Sequence, residues 1–557
     1  MHTFNNNQRD YTDWYTVPRI EGSLEPLMAK LFSKDMFKYN KQGVDIISSP
    51  FREYKFHTGV LILHGNKTFG KTKKGKLYYK CIPNDKSIPI FLIPYELRIG
   101  FIKDYTNKYV SFCFDNWDEK HPVGKLTETF GNVDNYASFC SYQLWCNRLV
   151  HSIAKLNREV KIVSKNTEFS TIMENIMNDD KYKIEDKRNL NVYTIDPNGS
   201  KDLDDGFSIA KLDSNKYKIT IYIANVFVMI DYLNMWPHLT DRVSTIYLPE
   251  DRRTLLPDLL SDNYCSLLQN KDCITFAMEF NYNMDDNKID NHSICFYNAM
   301  VNIKRNFVYE EDDLLQNSDY QLLLNVTKHI KPEIQDSHDV IAHWMIYMNS
   351  VSADKLASYK TGVFRVVSKK EEANAGHETG DSNIKKSVGL WTNMSGSYEL
   401  YSDELNTRHD VLNVSSYVHV TSPIRRVVDI VNQIYFFSHI FLFSLTEDCS
   451  KFVERFEMRI PQLNDDVKAI RKVQSECDLL YACKNDDTVL ETQYDGYVFN
   501  KKYENNQFTY SVFLKSLNKI SFFRSNDEIE EHEIRKFKLF LFDRENSGHR
   551  KIRLALV

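Results

Sequence analysis

The segment TIDPNGSKDLDDGF, residues 194–207, places Asp196, Asp202, Asp204 and Asp205 within ten positions. Carboxylates crowded in this way repel one another, and each resists ionisation unless positive charge is near. A divalent cation relieves the repulsion, and all-oxygen ligands select a hard ion such as Mg²⁺ or Mn²⁺. Pro197, Asn198, Gly199 and Ser200 are turn formers, so the strand-like NVYTI before them can lead into a loop that gathers the acids around one site. Two plainer readings compete. DLDDG resembles the start of a calcium loop, but the D-x-D-x-D-G spacing is not met and Leu212, not Glu, stands six residues after Gly206. An Asp-rich run is also the usual composition of a solvated loop.

A second constellation is YVHVTSPIRRVVDI, residues 417–430. Pro423 after Thr421 and Ser422 predicts a turn opening a helix. Arg425 and Arg426 would then occupy its first turn, where positive charge opposes the helix dipole. Arginines placed against that preference point to an anionic partner, and a phosphate gripped by guanidinium is the obvious one. Taken alone, the motif would favour the plainer reading of two arginines on a solvated helix face. Acidic metal ligands and an arginine clamp together are what metal-assisted phosphodiester hydrolysis requires. Two cations about 3.5–4 Å apart activate water and stabilise the departing 3′ oxygen, while Arg neutralises the non-bridging oxygens.

The elements that must position these residues come from a chain of 557 residues and 65.6 kDa, enough for about three to four domains. Hydrophobic residues make up 42% and charged residues 26%, which excludes a disordered or collagen-like chain. The formal charge of −5 supplies no global basic field, so any nucleic-acid surface must be local. Ten cysteines include no C-x-x-C pair and no zinc spacing, the pattern of buried thiols in a reducing compartment. MHTFNNNQRDYTDWY lacks the apolar region of a secretion signal. Asp429, Asn432, Gln433 and His439 interrupt the most apolar run, 427–445, so a buried helix is expected there and not a membrane span.

Residues 1 to about 50 are polar and aromatic without clear periodicity and predict an irregular arm. From Phe56 short β-rich runs begin, separated by Gly, Asn and Lys clusters, which predicts a small barrel or sandwich. The turn HGNKTFGKTKKGK carries five lysines, with Tyr78 and Tyr79 just beyond. Cations beside aromatics suit a single-stranded nucleic-acid platform, or equally a solvated charged loop. Residues 190 to about 485 mix strands with long helical patterns, and 368–412 is expected to be loop-rich. After about 490 short strands return, in a segment of the right size for a five-stranded barrel.

These residues resemble the ribonuclease II family, which includes ribonuclease R and the catalytic exosome nuclease. The resemblance rests on TIDPNGSKDLDDGF, HVTSPIRRVVDI and RVSTIYLPEDRRTLLPDLLSDNYCSLLQN (242–270). IKRNFVYEE (303–311), MIYMN (345–349) and GVFRV (362–366) extend it in the family's order. It implies an α+β multidomain chain, with a central α/β RNB catalytic domain flanked by cold-shock and S1-type OB barrels. The expected boundaries are an arm at 1–54, cold-shock barrels at 55–104 and 105–185, the RNB domain at 186–489 and the S1-type barrel at 490–557. The implied activity is processive 3′→5′ hydrolysis of single-stranded RNA to nucleoside 5′-monophosphates.

By motif position, the resemblance makes Asp196, Asp202, Asp204 and Asp205 ligands of Mg²⁺ (Mn²⁺ as a substitute), with two ions once substrate is bound. Asp204 would sit at the catalytic centre and Arg425 would contact the phosphate with Arg426 beside it. Tyr247 and Tyr309 would stack on bases, and Glu476 in VQSECDLLYA would be the later acidic residue. The implied partner is single-stranded RNA, with no organic cofactor and no membrane; monomer is the default. An intracellular, cytoplasmic protein is expected. The Asn/Lys/Tyr/Ile-rich usage suggests an AT-rich genome such as that of a large DNA virus. The sequence departs from the family at Ala342-His343, where some members carry Glu, and also at Gly206, at Val427 and across 368–412. The competing class is a catalytically silent RNA-binding protein on the same scaffold, which would have no need of four mutually repulsive aspartates.

Overall fold

A computed structural model of the chain describes residues 1–20, 24–40, 43–97, 105–368, 396–504, 507–541 and 552–557. The chain divides into two compact units, one of residues 1–150, 248–250 and 469–557, the other of 151–247 and 251–468.

In the first unit the expected arm is a four-stranded antiparallel sheet. It comprises His2–Asn6, Trp14–Val17, Met36–Asn40 and Gly43–Ser48, with the first strand between the second and the third. Alternation buries Phe4, Asn6, Thr16 and Phe37, a period too short in four- to six-residue strands to stand out from the surrounding polar sequence. Beyond it, His57–Leu61, Leu77–Pro83, Phe91–Tyr95, Lys108–Asn116 and Val123–Asn132 close into one barrel. The boundary expected between two barrels at 104/105 therefore falls inside a single one. Three strands on its N-terminal side are too few to close, and those at 108–116 and 123–132 complete the ring. Tyr79 is buried in this barrel and its hydroxyl donates to Asn66, so strand alternation leaves only Tyr78 of the pair partly open. The C-terminal segment is a five-stranded antiparallel sheet whose edge strands, Lys519–Ser525 and Ile552–Leu556, approach one another as in a near-closed barrel.

The second unit is built on a mixed sheet that is mostly antiparallel, a correction to the expected α/β arrangement. Short hairpin connections at 214–215 and 284–287 can only join antiparallel neighbours. The long strand Lys288–Val308 runs parallel to Val192–Asp196 and antiparallel to Asp272–Asn283, so the sheet curls back on itself. Helix Ser337–Ser358 is N-capped by Asp336, whose side chain accepts the Asp339 N–H. Helix Val427–Tyr435 is buried along its whole length, as its apolar run predicts. It starts later than expected: Arg426 is its N-cap, in extended conformation, and Arg425 precedes it. The acidic residue in its first turn is Asp429, in keeping with the dipole. Within the stretch expected to be loop-rich, residues 369–395 lie outside the described residues, and Ser397–Leu400 is a strand paired with Val363–Val366. Among the described residues no helix is long and apolar enough to cross a membrane.

Candidate active site

The first aspartate ends a strand and the last begins one. Asp196 closes Val192–Asp196 opposite Val308, and its carbonyl accepts the Tyr309 N–H at 3.2 Å. Asp205 opens Asp205–Asp213 opposite Ile223. Between them Ser200 N–H donates to Pro197 C=O, and Gly199 at φ +80° supplies the positive angle a type II turn needs at that position. The CSL segment then pins the loop: Ser266 Oγ accepts the Leu203 N–H and donates to the Lys201 carbonyl. Sequence motifs some 60 residues apart thus meet in one hydrogen-bonded knot.

The arginine segment reaches the same place from the other side. Val427 N–H donates to Val243 C=O and Thr245 N–H to Arg425 C=O, aligning 425–427 with 243–245. Asn349 holds the preceding loop by accepting the Val420 N–H and donating to the hydroxyls of Tyr417 and Thr421. Ile424 N–H donates to Asp204 Oδ1 at 2.9 Å, and Arg425 Nε lies 3.3 Å from Asp204 Oδ2. The Arg425 side chain remains 48% exposed, whereas that of Asp204 is 2% exposed.

Charge in this cluster is poorly compensated. Burial, followed by Asp205, pushes the Asp196 carboxyl up to about 8. Burial pushes Asp205 up to about 6 against the pull of Arg425. Asp204 is driven well above the ordinary carboxylate range by burial, with Arg425 and the Ile424 N–H opposing. Oδ2 of each of these three is buried without a hydrogen bond. Such oxygens are what a hard cation would take up, so the donor chemistry fits Mg²⁺. Among the described residues, however, no three acidic, His or Cys side chains are already gathered as a metal cage.

Asp202 is different. Its Oδ2 accepts the Tyr247 hydroxyl at 2.5 Å and its Oδ1 accepts from Arg252 at 2.8 Å, while Arg252 also donates to Asp262 at 2.5 Å. Tyr247, 38% exposed, is therefore tied through its hydroxyl to the acidic loop. Tyr309 stacks on His338, with ring centroids 3.6 Å apart. Arg426 pairs with the buried Asp429, whose Oδ1 also accepts the Ser422 N–H, so this guanidinium is engaged within the protein. Glu476 lies in the first unit, on helix Ile460–Asn485, where it lines a cavity of about 310 Å³. Arg252, Asp262, Asn349 and Ser266 escaped sequence reasoning. The available signal was the charged run of residues 250–253 between the YLP and LLP elements.

Comparison with known proteins follows this geometry. The RNB domain model matches residues 184–321 and 313–440, and the Dis3-like cold-shock domain 2 model matches 78–141. The DIS3-like exonuclease 2 of Schizosaccharomyces pombe is 27% identical over 216 residues, 35% of this chain and 22% of that protein. The mouse exosome complex exonuclease RRP44 is 27% identical over 293 residues, 52% of this chain and 28% of that protein. The chain thus aligns with under a third of the length of these relatives. A solved structure of Mycoplasma genitalium RNase R in complex with ribose methylated single-stranded RNA superposes over 100% of both chains. Its TM-score is 0.71 at 15% identity, a likeness of fold. With the RNB model covering both the aspartate loop and the arginine segment, the chain belongs to the RNB-domain 3′→5′ exoribonuclease family, related to RNase R and to RRP44/DIS3.

Proposed function

We propose that this protein is a Mg²⁺-dependent exoribonuclease that hydrolyses single-stranded RNA processively from the 3′ end to nucleoside 5′-monophosphates. The observation that carries this reading is the trio of buried carboxylate oxygens on Asp196, Asp204 and Asp205, none hydrogen-bonded, beside a half-exposed Arg425. When bound, Mg²⁺ supplies the charge that polarises a phosphoryl group and activates water, with Mn²⁺ a substitute and two ions engaged in the substrate complex. Asp196, Asp204 and Asp205, with Asp202, would hold it.

The remaining steps belong to side chains. Arg425 is fixed at one edge by Asp204 and by Ser422 Oγ at 3.1 Å, leaving its outer edge to meet non-bridging phosphate oxygens. Tyr247 meets the acidic loop through its hydroxyl and Tyr309 through its backbone N–H, and their rings would orient the terminal nucleotides by stacking. The closed barrel and the C-terminal sheet would grip the strand upstream. A silent RNA-binding role is the weaker reading, because burying several unneutralised carboxylates costs stability that such a scaffold has no reason to bear.

A time course on a 5′-labelled single-stranded oligonucleotide, with and without Mg²⁺, tests this. Progressive shortening of labelled fragments only when Mg²⁺ is present is expected. Intact RNA under both conditions, despite measurable binding, would favour the silent reading.

A further inference from the structure

Asp202 stands apart from its three neighbours because both of its oxygens are engaged by polar side chains. Its partners are the Tyr247 hydroxyl and Arg252, and Arg252 uses the other arm of its guanidinium on Asp262. Asp262 is in turn held by Ser261, whose hydroxyl donates to its Oδ1 at 2.6 Å. The Arg252 side chain is 23% exposed and the Asp202 and Asp262 side chains 9% and 18%, so this is a partly buried ion-pair chain and not a screened surface contact. Arg252 and Tyr247 approach from two short strands, Asp251–Arg253 and Ile246–Leu248, and Asp262 from the turn 260–264.

An arginine beside a cation site ordinarily repels the cation. Here Asp262 cancels the guanidinium charge, so that Arg252 can orient Asp202 while adding little net positive potential. A carboxylate oxygen carries two lone pairs, so each oxygen of Asp202 can accept a hydrogen bond and still present a lone pair to a cation. Outer hydrogen bonds of this kind orient ligating carboxylates.

We infer that Arg252 is a positioning residue for divalent-cation binding: it acts through Asp202, and Asp262 is its charge-balancing partner. This rests on the metal-dependent reading above. Arg252 reaches the two carboxylates from separate nitrogens of one planar fork, Nη1 and Nη2, a spacing that the single nitrogen of lysine reproduces incompletely.

The test is a Mn²⁺ titration of the RNA-free full chain by calorimetry, with Arg252→Met, Arg252→Lys, Asp262→Asn and Asp204→Asn variants and an unfolding midpoint for each. Arg252→Met is expected to weaken Mn²⁺ binding by ~10–100-fold, the range for lost outer-sphere support. Arg252→Lys should fall between it and the parent. Asp262→Asn should also weaken binding, since it leaves the guanidinium charge unbalanced. In cleavage assays, saturating Mn²⁺ should restore most of the Arg252→Met rate, whereas damage to the fold would lower the ceiling at every concentration. Mn²⁺ binding by Arg252→Met as tight as the parent's or tighter overturns the inference while leaving the metal reading intact. A parent that binds no Mn²⁺, or binding insensitive to Asp204→Asn, overturns the metal reading and this inference with it.

Discussion

Ile424 donates its backbone N–H to the carboxylate of Asp204 at 2.9 Å, across 220 positions of sequence. That bond joins the acidic loop to the arginine segment, and it leaves Asp204 Oδ2 facing Arg425. The acidic loop and the arginine segment of the candidate site are therefore joined directly, and their separate contributions can be tested by substitution.

Asp204→Asn keeps an acceptor for Ile424 and removes the charge. Cleavage of labelled RNA should fall below detection while affinity for the same RNA, read by fluorescence anisotropy, stays within about threefold. Because burial already disfavours the charged carboxyl, the variant's metal-free Tm should equal or exceed the parent's. Loss of RNA affinity together with activity would remove Asp204 from the role given to it.

Arg425→Ala deletes the half-exposed guanidinium beside Asp204. A fall in kcat of ~10²–10³-fold is expected, the scale of losing one charge-stabilising donor. Arg425→Lys should recover only part of the rate, lacking the fork. An unchanged rate in single-turnover assays would show that no phosphate is contacted there.

Divalent cations should raise the melting temperature, because a ligand that binds only the folded state stabilises it. At a concentration 100 times its Kd the gain is about 2.7 kcal/mol. EDTA should reverse the shift, and an Asp196→Asn, Asp205→Asn double variant should show none. An equal shift in that variant would place the binding elsewhere.

Acid should weaken the fold through buried histidines. His409 is fully buried, and burial followed by Arg365 lowers its pKa to about 4. Unfolded, it titrates near 6.5, so between these values the unfolded state holds more protons and stability rises with pH. The contribution of His409 is whole above about 6.5 and is lost as pH falls towards 4, roughly 3 kcal/mol in all. His57 and His343 are shifted the same way, also to about 4. Between pH 7.5 and 4.5 the urea midpoint of the parent should fall relative to that of His409→Gln, a comparison in which the opposite contribution of the raised Asp196 and Asp205 carboxyls cancels. Parallel curves for the two proteins would count against this assignment.

The acidic loop and the arginine segment were legible in the sequence because their chemistry is local: four carboxylates within ten positions, two guanidiniums beside a proline. The buried helix at 427–435 was legible for the same reason, from one apolar run. What escaped depended on distant partners. The ion-pair chain through Arg252 needs a strand and a turn to meet, and the barrel spanning 57–132 is completed only when strands on either side of an apparent boundary close. The pairing of Arg426 with Asp429, three residues on, could have been read locally. It was obscured by expecting the helix to begin near Pro423, ahead of Val427, which set both arginines in its first turn.

The strand Lys288–Val308 serves as a ruler for the second unit, since its first part is matched to Asp272–Asn283 and its last part carries Val308 to Asp196. Its pairing is irregular between Ile303 and Arg305, but beyond that point side chains alternate faces up to Val308, so inserting or deleting a single residue between 305 and 308 inverts those that follow and carries Tyr309 away from the acids. Length changes should instead be absorbed in the turn at 284–287, making that hairpin tip the place to graft a tag or fluorophore without disturbing the spacing of the candidate-site residues.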